Sequence, residues 1–270
     1  MKLALLMMVG LFAGAYGCII GAGGGFILMP VLLLMHPYEE PSSLTATCLT
    51  AVFMNALSGS IAYARAGRIK YKCAGALAAG TLPGGVVGAL LTGIAERKFF
   101  NLAFGILLLA LSAYLFLRKE THSASMGECV KCSADEAPAV RRSSIHCDAK
   151  GGVIIVALIG CAVTSIATFA GVGGGIVLVP ALVGLVGMPT HIATATSMLV
   201  VCLNSLVGVL THLFSGTVFS IFDSTVIGVG MIIGAQIGAA ISGRISSIWI
   251  LHLLAGALGI VGVRILLTAV

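Results

Sequence analysis

Gly21-Ala-Gly-Gly-Gly-Phe-Ile-Leu-Met-Pro30 recurs 150 positions later as Gly171-Val-Gly-Gly-Gly-Ile-Val-Leu-Val-Pro180. Both copies lie in long apolar stretches. No Asp, Glu, Lys or Arg occurs between Lys2 and Glu39, and none between Lys150 and Asp223. A helix needs roughly 20 mostly apolar residues to cross a bilayer, so the first stretch exceeds one crossing and the second holds at least two. The chain is 59% hydrophobic and only 9% charged, against about 25% charge in soluble domains. Backbone in hydrocarbon must pair with itself, which leaves helices or a closed barrel. The apolar runs are continuous rather than alternating, so barrel strands fit poorly. The expected class is an all-α, polytopic transmembrane helix bundle.

Working outward from the glycines, the two copies carry the same train of motifs. Thr45-Ala-Thr47 answers to Thr194-Ala-Thr196, Asn55 to Asn204, Gly67 to Gly216, and Gly88-Ala89 to Gly238-Ala239. One glycine run can arise by chance, but not this order at a nearly constant offset. Two homologous repeats are therefore expected, as in many secondary transporters. Apolar segments fall at about 3–35, 42–64, 73–94, 99–117, 152–187, 191–214, 222–243 and 248–269, and the one long polar stretch lies between the halves. This divides the chain into an N-terminal transmembrane repeat (1–117), a polar linker (118–151) and a C-terminal transmembrane repeat (152–270). The first 20 residues resemble a signal peptide. Their counterpart at about 154–168 argues instead that they belong to the repeat.

Eight crossings with parallel halves would divide the cations 12 against 3 across the membrane. Ten crossings, with each glycine-rich segment a full hairpin and the halves inverted, would divide them 11 against 4. Either way the linker and the Arg65–Lys72 loop fall on the cytoplasmic side. That loop placement also accounts for the net charge of +6 as topogenic, with no nucleic-acid partner.

Glycine and proline in a helix interior cost about 1 and 3 kcal/mol against alanine in soluble hosts. Four or five of them within ten residues should break the helix in each half. The freed backbone groups cannot face lipid, so each break must be buried in protein or line a wet cavity. Helix N-termini at such breaks offer N–H groups and partial positive charge to an anion. Candidate binding residues are therefore Gly23, Gly24, Gly25, Gly173, Gly174 and Gly175. Close packing through small residues is the structural alternative. The polar groups Thr45, Thr47, Asn55, Thr194, Thr196, Asn204 and Gln236 join the candidates, because unpaired amides and hydroxyls are expensive in an apolar segment. Helix capping competes for Thr194 and Thr196, and Thr164, Ser165 and Thr168 form a weaker set of the same kind.

No acidic residue sits deep in an expected span, which argues against a carboxylate proton relay or a cation pathway. Neutral donors and helix ends favour an anion. His191, His212 and His252 are titratable near neutrality, and Arg65 and Arg68 could concentrate anions at a mouth. Eight cysteines are present. Cys129, Cys132, His146 and Cys147 in the linker could complete a zinc site or, as a Cys-x-x-Cys pair, act in redox. No nucleotide loop, catalytic triad or metal-binding helix motif appears, so neither an enzyme nor a cofactor is expected.

The doubled glycine motif ending in proline, each followed by Thr-Ala-Thr and a downstream Asn, resembles the sulfite exporter TauE/SafE family of membrane permeases. The resemblance covers both halves and excludes the linker. It implies four-segment repeats and transport of sulfur-containing anions such as sulfite, thiosulfate or organosulfonates. The expectation is a secondary permease of the cell membrane that binds a small anion between its halves and works by alternating access. Its surroundings are membrane lipid, and a homo-oligomer is compatible with the sequence. The rival readings are a transmembrane thiol–disulfide electron relay, using linker and membrane cysteines, and an assembly subunit without flux.

Overall fold

The computed structural model describes residues 2–36, 38–94, 160–162, 164–184 and 188–242, with isolated positions between 100 and 113 and between 256 and 263. The linker, with Cys129, Cys132, His146 and Cys147, lies outside the described residues, as do most of the segments expected at 99–117 and 248–269. Eight helices are described: α1 (Lys2–Ile20), α2 (Gly25–Met35), α3 (Pro41–Arg65), α4 (Tyr71–Ile94), α5 (Gly160–Phe169), α6 (Gly175–Gly184), α7 (Thr190–Phe214) and α8 (Ile221–Ser242). No strand occurs among the described residues. Five helices, α1, α3, α4, α7 and α8, are long and apolar enough to cross a membrane.

Helix directions follow from which residues meet. The Tyr63 hydroxyl, late in α3, donates to the carbonyl of Cys18, late in α1, and Asn55 stands beside Gly14. So α1 and α3 run the same way. On α8, Ile227 and Met231 face Gly10 and Gly14 in that order, which makes α8 parallel to α1. By contrast, Lys70, just past the end of α3, bonds Thr196 near the start of α7, while Leu49 near the start of α3 packs on Gly208 late in α7. Helices α3 and α7 are antiparallel.

Because α1 and α3 are parallel, α2 must carry the chain back to the side it came from. It does so alongside the first half of α3, with Met29 near the level of Cys48 and Thr45. Its 11 residues span about 16 Å at 1.5 Å per residue, about half of the hydrocarbon core. Pro30 sits inside α2 without ending it; the reversal is made by the glycines. The same logic holds for α5 and α6. Cys161 and Ser165 on α5 face Gly84 and Gly88 on α4 in order, Thr81 on α4 meets Asn204 on α7, and α6 must therefore return. Two helical hairpins thus enter the bundle from opposite faces.

Small residues let these helices approach closely, which drives association where lipid competes with apolar side chains. On α8, Gly230, Gly234 and Gly238 recur at every fourth place and admit the backbone of Met7, Leu11 and Ala15 on α1. A neighbouring row on α8 carries Ile233, Ile237 and Ile241, all exposed. So much exposed apolar surface signals a non-aqueous surround. Helices α3 and α7 end alike, with Gly67 and Gly216 at positive φ and the following N–H bonded back to Tyr63 and His212 carbonyls. This is the left-handed glycine cap that stops a helix cleanly.

Candidate functional site

The two glycine turns meet at the centre of the molecule. Helix α1 stops at Ile20, and Gly21, Gly23 and Gly24 take positive φ before α2 begins at Gly25. Gly171, Gly173 and Gly174 do the same between α5 and α6. The carbonyl of Gly17 accepts the N–H groups of Gly21 and Ala22 at 2.9 Å. In the second turn Gly171 bonds the carbonyl of Thr168 and Val172 that of Ala167, both at 2.9 Å. A Cβ on Gly25 would lie 2.9 Å from the carbonyl oxygen of Gly171, and one on Gly175 only 2.6 Å from Cα of Ala22. The tips therefore pack backbone against backbone, which only glycine permits. Val52 and Val201 touch both tips and sit midway along α3 and α7. The contact is thus about as far from one face of the bundle as from the other.

Helices α2 and α6 start at this central contact. The N–H groups of Gly24, Gly25, Gly174 and Gly175 find no acceptor among the described residues. Buried polar groups are normally paired, yet several side chains here are not. Asn204 accepts a hydrogen bond on Oδ1 from the Thr81 hydroxyl at 3.1 Å, while its Nδ2 is buried without a partner. Thr164, Thr168 and Ser205 are fully buried, and their hydroxyls are unpartnered too. Elsewhere in the same helices such hydroxyls bond the carbonyl four residues back, as Ser165 does to Cys161 and Thr211 to Val207; this is the usual retreat for Ser and Thr in a helix. At 164, 168 and 205 the chain forgoes it.

The other candidates divide. Asn55 is fully buried and donates from Nδ2 to the carbonyl of Gly23 at 2.9 Å, bracing the first turn; its Oδ1 is unpartnered. Thr45 lies beside Gly171 with its hydroxyl unpartnered, and Thr47 is buried. Thr194 spends its hydroxyl on the carbonyl of Thr190, and Thr196 accepts from the Lys70 N–H. Neither caps the helix, because the N-cap of α7 is Pro189. Gln236 is not at the turns. It bonds the Ser58 hydroxyl at 2.7 Å and lines a cavity of about 350 Å³ with Tyr63, Arg65 and Arg68. Thr81 and Ser205 escaped the sequence reading. Ser205 had one available signal, a second polar residue directly after Asn204 in an apolar run.

His212 is buried with Nε2 unpartnered, at the place in α7 that Tyr63 holds in α3. Cys18, Cys48, Cys161 and Cys202 are free thiols. Among the described residues no cluster of His, Cys, Asp or Glu could hold a metal ion.

The two asparagines differ in what they support, and melting of the purified protein should separate them. Asn55→Leu strands the buried carbonyl of Gly23, a loss of about 1–3 kcal/mol, or a Tm lower by roughly 5 °C in a chain of this size. Asn204→Leu frees Thr81 to bond the Ala78 carbonyl at 3.3 Å, so its Tm should stay near wild type.

Comparison with known proteins finds membrane transporters. A family model described as "Sulfite exporter TauE/SafE" matches residues 6–265. The chain is 26% identical to the "Probable membrane transporter protein YunE" of Bacillus subtilis, over 98% of each protein. It is 25% identical to a protein of Methanocaldococcus jannaschii that is also named a probable membrane transporter, covering 98% of this chain and 96% of that one. A third such protein, from Xylella fastidiosa, is 29% identical over 88% of this chain and 84% of its own length. No solved structure matches. An all-helical membrane protein with this pair of glycine turns, matched over nearly its whole length, belongs to the sulfite exporter TauE/SafE family.

Proposed function

We propose that this membrane transporter is a secondary permease for a small sulfur-containing oxyanion such as sulfite, thiosulfate or an organosulfonate. The observation that carries the reading is the central meeting of two glycine turns, each opening a half-length helix whose first N–H groups lack acceptors. Helix starts of this kind favour negative charge, and their burial away from both faces matches a site midway through the bilayer. The family description supplies the sulfur chemistry.

On this reading the halves are inverted repeats, and each broken helix is a hairpin. The antiparallel course of α3 and α7 supports this, since these helices carry the matching Thr-Ala-Thr and Asn motifs. Arg65, Arg68, Lys70 and Lys72 then mark the cytoplasmic end of α3, and the linker lies on the same side of the cell membrane. The cavity beside Arg65 and Arg68 is the mouth through which anions approach from the cytoplasm. Alternating access comes from rocking one hairpin and its partners against the other.

Vesicles holding the purified full chain provide the test. Labelled sulfite, thiosulfate and methanesulfonate are offered with and without imposed ion gradients. Saturable uptake of at least one is expected; uptake of all three no faster than in empty vesicles would end the proposal.

A further inference from the structure

We infer that the solute site is one-sided: Thr164, Thr168, Asn204 and Ser205 around the Gly173–Gly174 turn hold a compact monoanion, and the matching N-terminal turn is packed shut. This rests on the transport reading above and adds where the anion sits and what charge it carries.

The asymmetry is legible position by position. Residues 150 apart relate α1 to α5 and α4 to α8, and residues 149 apart relate α3 to α7. By these offsets Thr164 stands where the first half has Gly14, Thr168 where it has Cys18, Ser205 where it has Ala56, and Thr81 where it has Met231. Every polar group of the C-terminal set thus faces a counterpart without a hydroxyl. Only the asparagine is shared, and the two are used differently. Asn55 commits its amide N–H to Gly23, leaving an acceptor that would repel an anion. Asn204 commits its oxygen to Thr81 and leaves the donor unspent.

Space divides the same way. A Cβ on Gly24 would collide with the carbonyl of Ala13 and stand 2.7 Å from the terminal methyl of Met231. A Cβ on Gly174 would meet nothing closer than Thr164 at 3.5 Å, with Asn204 Nδ2 at 3.7 Å. A Cβ on Gly173 would lie 2.7 Å from Ser205 Oγ, which brings that hydroxyl to the same turn. One turn is filled by a methionine; the other is bordered by three unpartnered polar atoms, Thr164 Oγ1, Asn204 Nδ2 and Ser205 Oγ, with the unpartnered Thr168 hydroxyl one helical turn along α5 from Thr164.

Their chemistry selects the ligand. Three hydroxyls, one amide and the N–H groups of Gly174 and Gly175 can all donate at once, which suits an oxyanion and not a metal cation. No charged side chain among the described residues reaches this turn; every described Lys, Arg, Asp and Glu lies at a helix end or in a loop. The desolvation cost of an ion rises with the square of its charge, so a dianion loses about four times what a monoanion loses. Neutral donors alone therefore retain a sulfonate or hydrogensulfite and reject sulfate.

The test pairs flux with melting of the purified full chain, using methanesulfonate and sulfate, which keep one and two charges at all working pH values. Wild type should take up methanesulfonate at least tenfold faster than sulfate. It should also gain thermal stability from methanesulfonate and none from sodium chloride. The Thr164→Val, Thr168→Val double variant should raise KM for methanesulfonate at least tenfold, while its unliganded Tm holds or rises because two stranded hydroxyls are gone. Ser205→Ala should act in the same direction, and Met231→Leu should keep KM within twofold of wild type. A double variant and Ser205→Ala that both keep KM within twofold would overturn the one-sided site. Sulfate carried as fast as methanesulfonate would overturn its charge selection. Vesicles that take up no anion at all would overturn the transport reading itself, a result distinct from either.

Discussion

Alanine at Gly24 should leave almost no folded protein in the membrane, whereas alanine at Gly174 should leave folded protein that carries no anion. The two glycines occupy the same place in their motifs and have similar backbones, with φ of 79° and 92°. Left-handed backbone costs a residue with a Cβ about 1–2 kcal/mol, and that penalty applies to both. At Gly24 the added methyl also drives into the Ala13 carbonyl. Backbone of α1 cannot yield without moving its packing on α8, so overpacking adds about 1–3 kcal/mol. Together these come to about 2–5 kcal/mol, at the upper end the whole stability of a fold near the bottom of the 5–15 kcal/mol range. At Gly174 the methyl meets Thr164 at 3.5 Å and Asn204 Nδ2 at 3.7 Å, ordinary contact distances, so only the backbone strain is felt and folding survives. The space it enters borders Thr164 and Asn204, so uptake should fall to the level of empty vesicles. Gel filtration of detergent extracts reports the first outcome and vesicle flux the second. Equal yields and equal flux in the two variants would mean that the turns are interchangeable.

How much of this was legible beforehand depends on the scale of the signal. Helices α3, α4, α7 and α8 stand within two residues of the expected apolar segments, because long uncharged runs have few other solutions in a bilayer. The glycine triplets marked both turns, since no helix of ordinary propensity absorbs three glycines together. Pro30 misled in detail: it looks like part of the break yet lies inside α2, where membrane helices tolerate proline. Cation counts of 12 against 3 and 11 against 4 are too alike to choose a topology. Pairwise contacts such as Lys70 with Thr196 favour the inverted arrangement proposed above, and these join residues far apart in the chain. The same holds for the site. Asn55 and Asn204 look equivalent in sequence, and only their partners, the Gly23 carbonyl and the Thr81 hydroxyl, reveal that one braces and the other presents a donor. Thr81 carries no local mark at all. Its role comes from α4 passing beside α7.

Glycine serves two purposes in this molecule, turning the chain and packing helices closely, at different places. The triplets turn the chain; the every-fourth glycines bring α1 onto α8. Gly234→Leu tests the second use and should be among the most damaging single changes in the chain. Its side chain would enter the backbone of Leu11 and Ala15, where Gly10 and Gly14 present α1 as closely to Ile227 and Met231. No rotamer escapes a helix backbone on that face. The helices must part, and every contact along this interface loosens with them. In lipid there is no hydrophobic gain to hold them together once the close fit is lost. Gly75→Leu on α4 supplies the control, because nothing lies within 4 Å of a Cβ there and a helix-favouring residue replaces a poor one, a gain of up to about 1 kcal/mol. Limited proteolysis of membranes should find the Gly234 variant digested under conditions that leave wild type and the Gly75 variant intact. Equal resistance of all three would show that α1 and α8 hold together by something other than the glycine face.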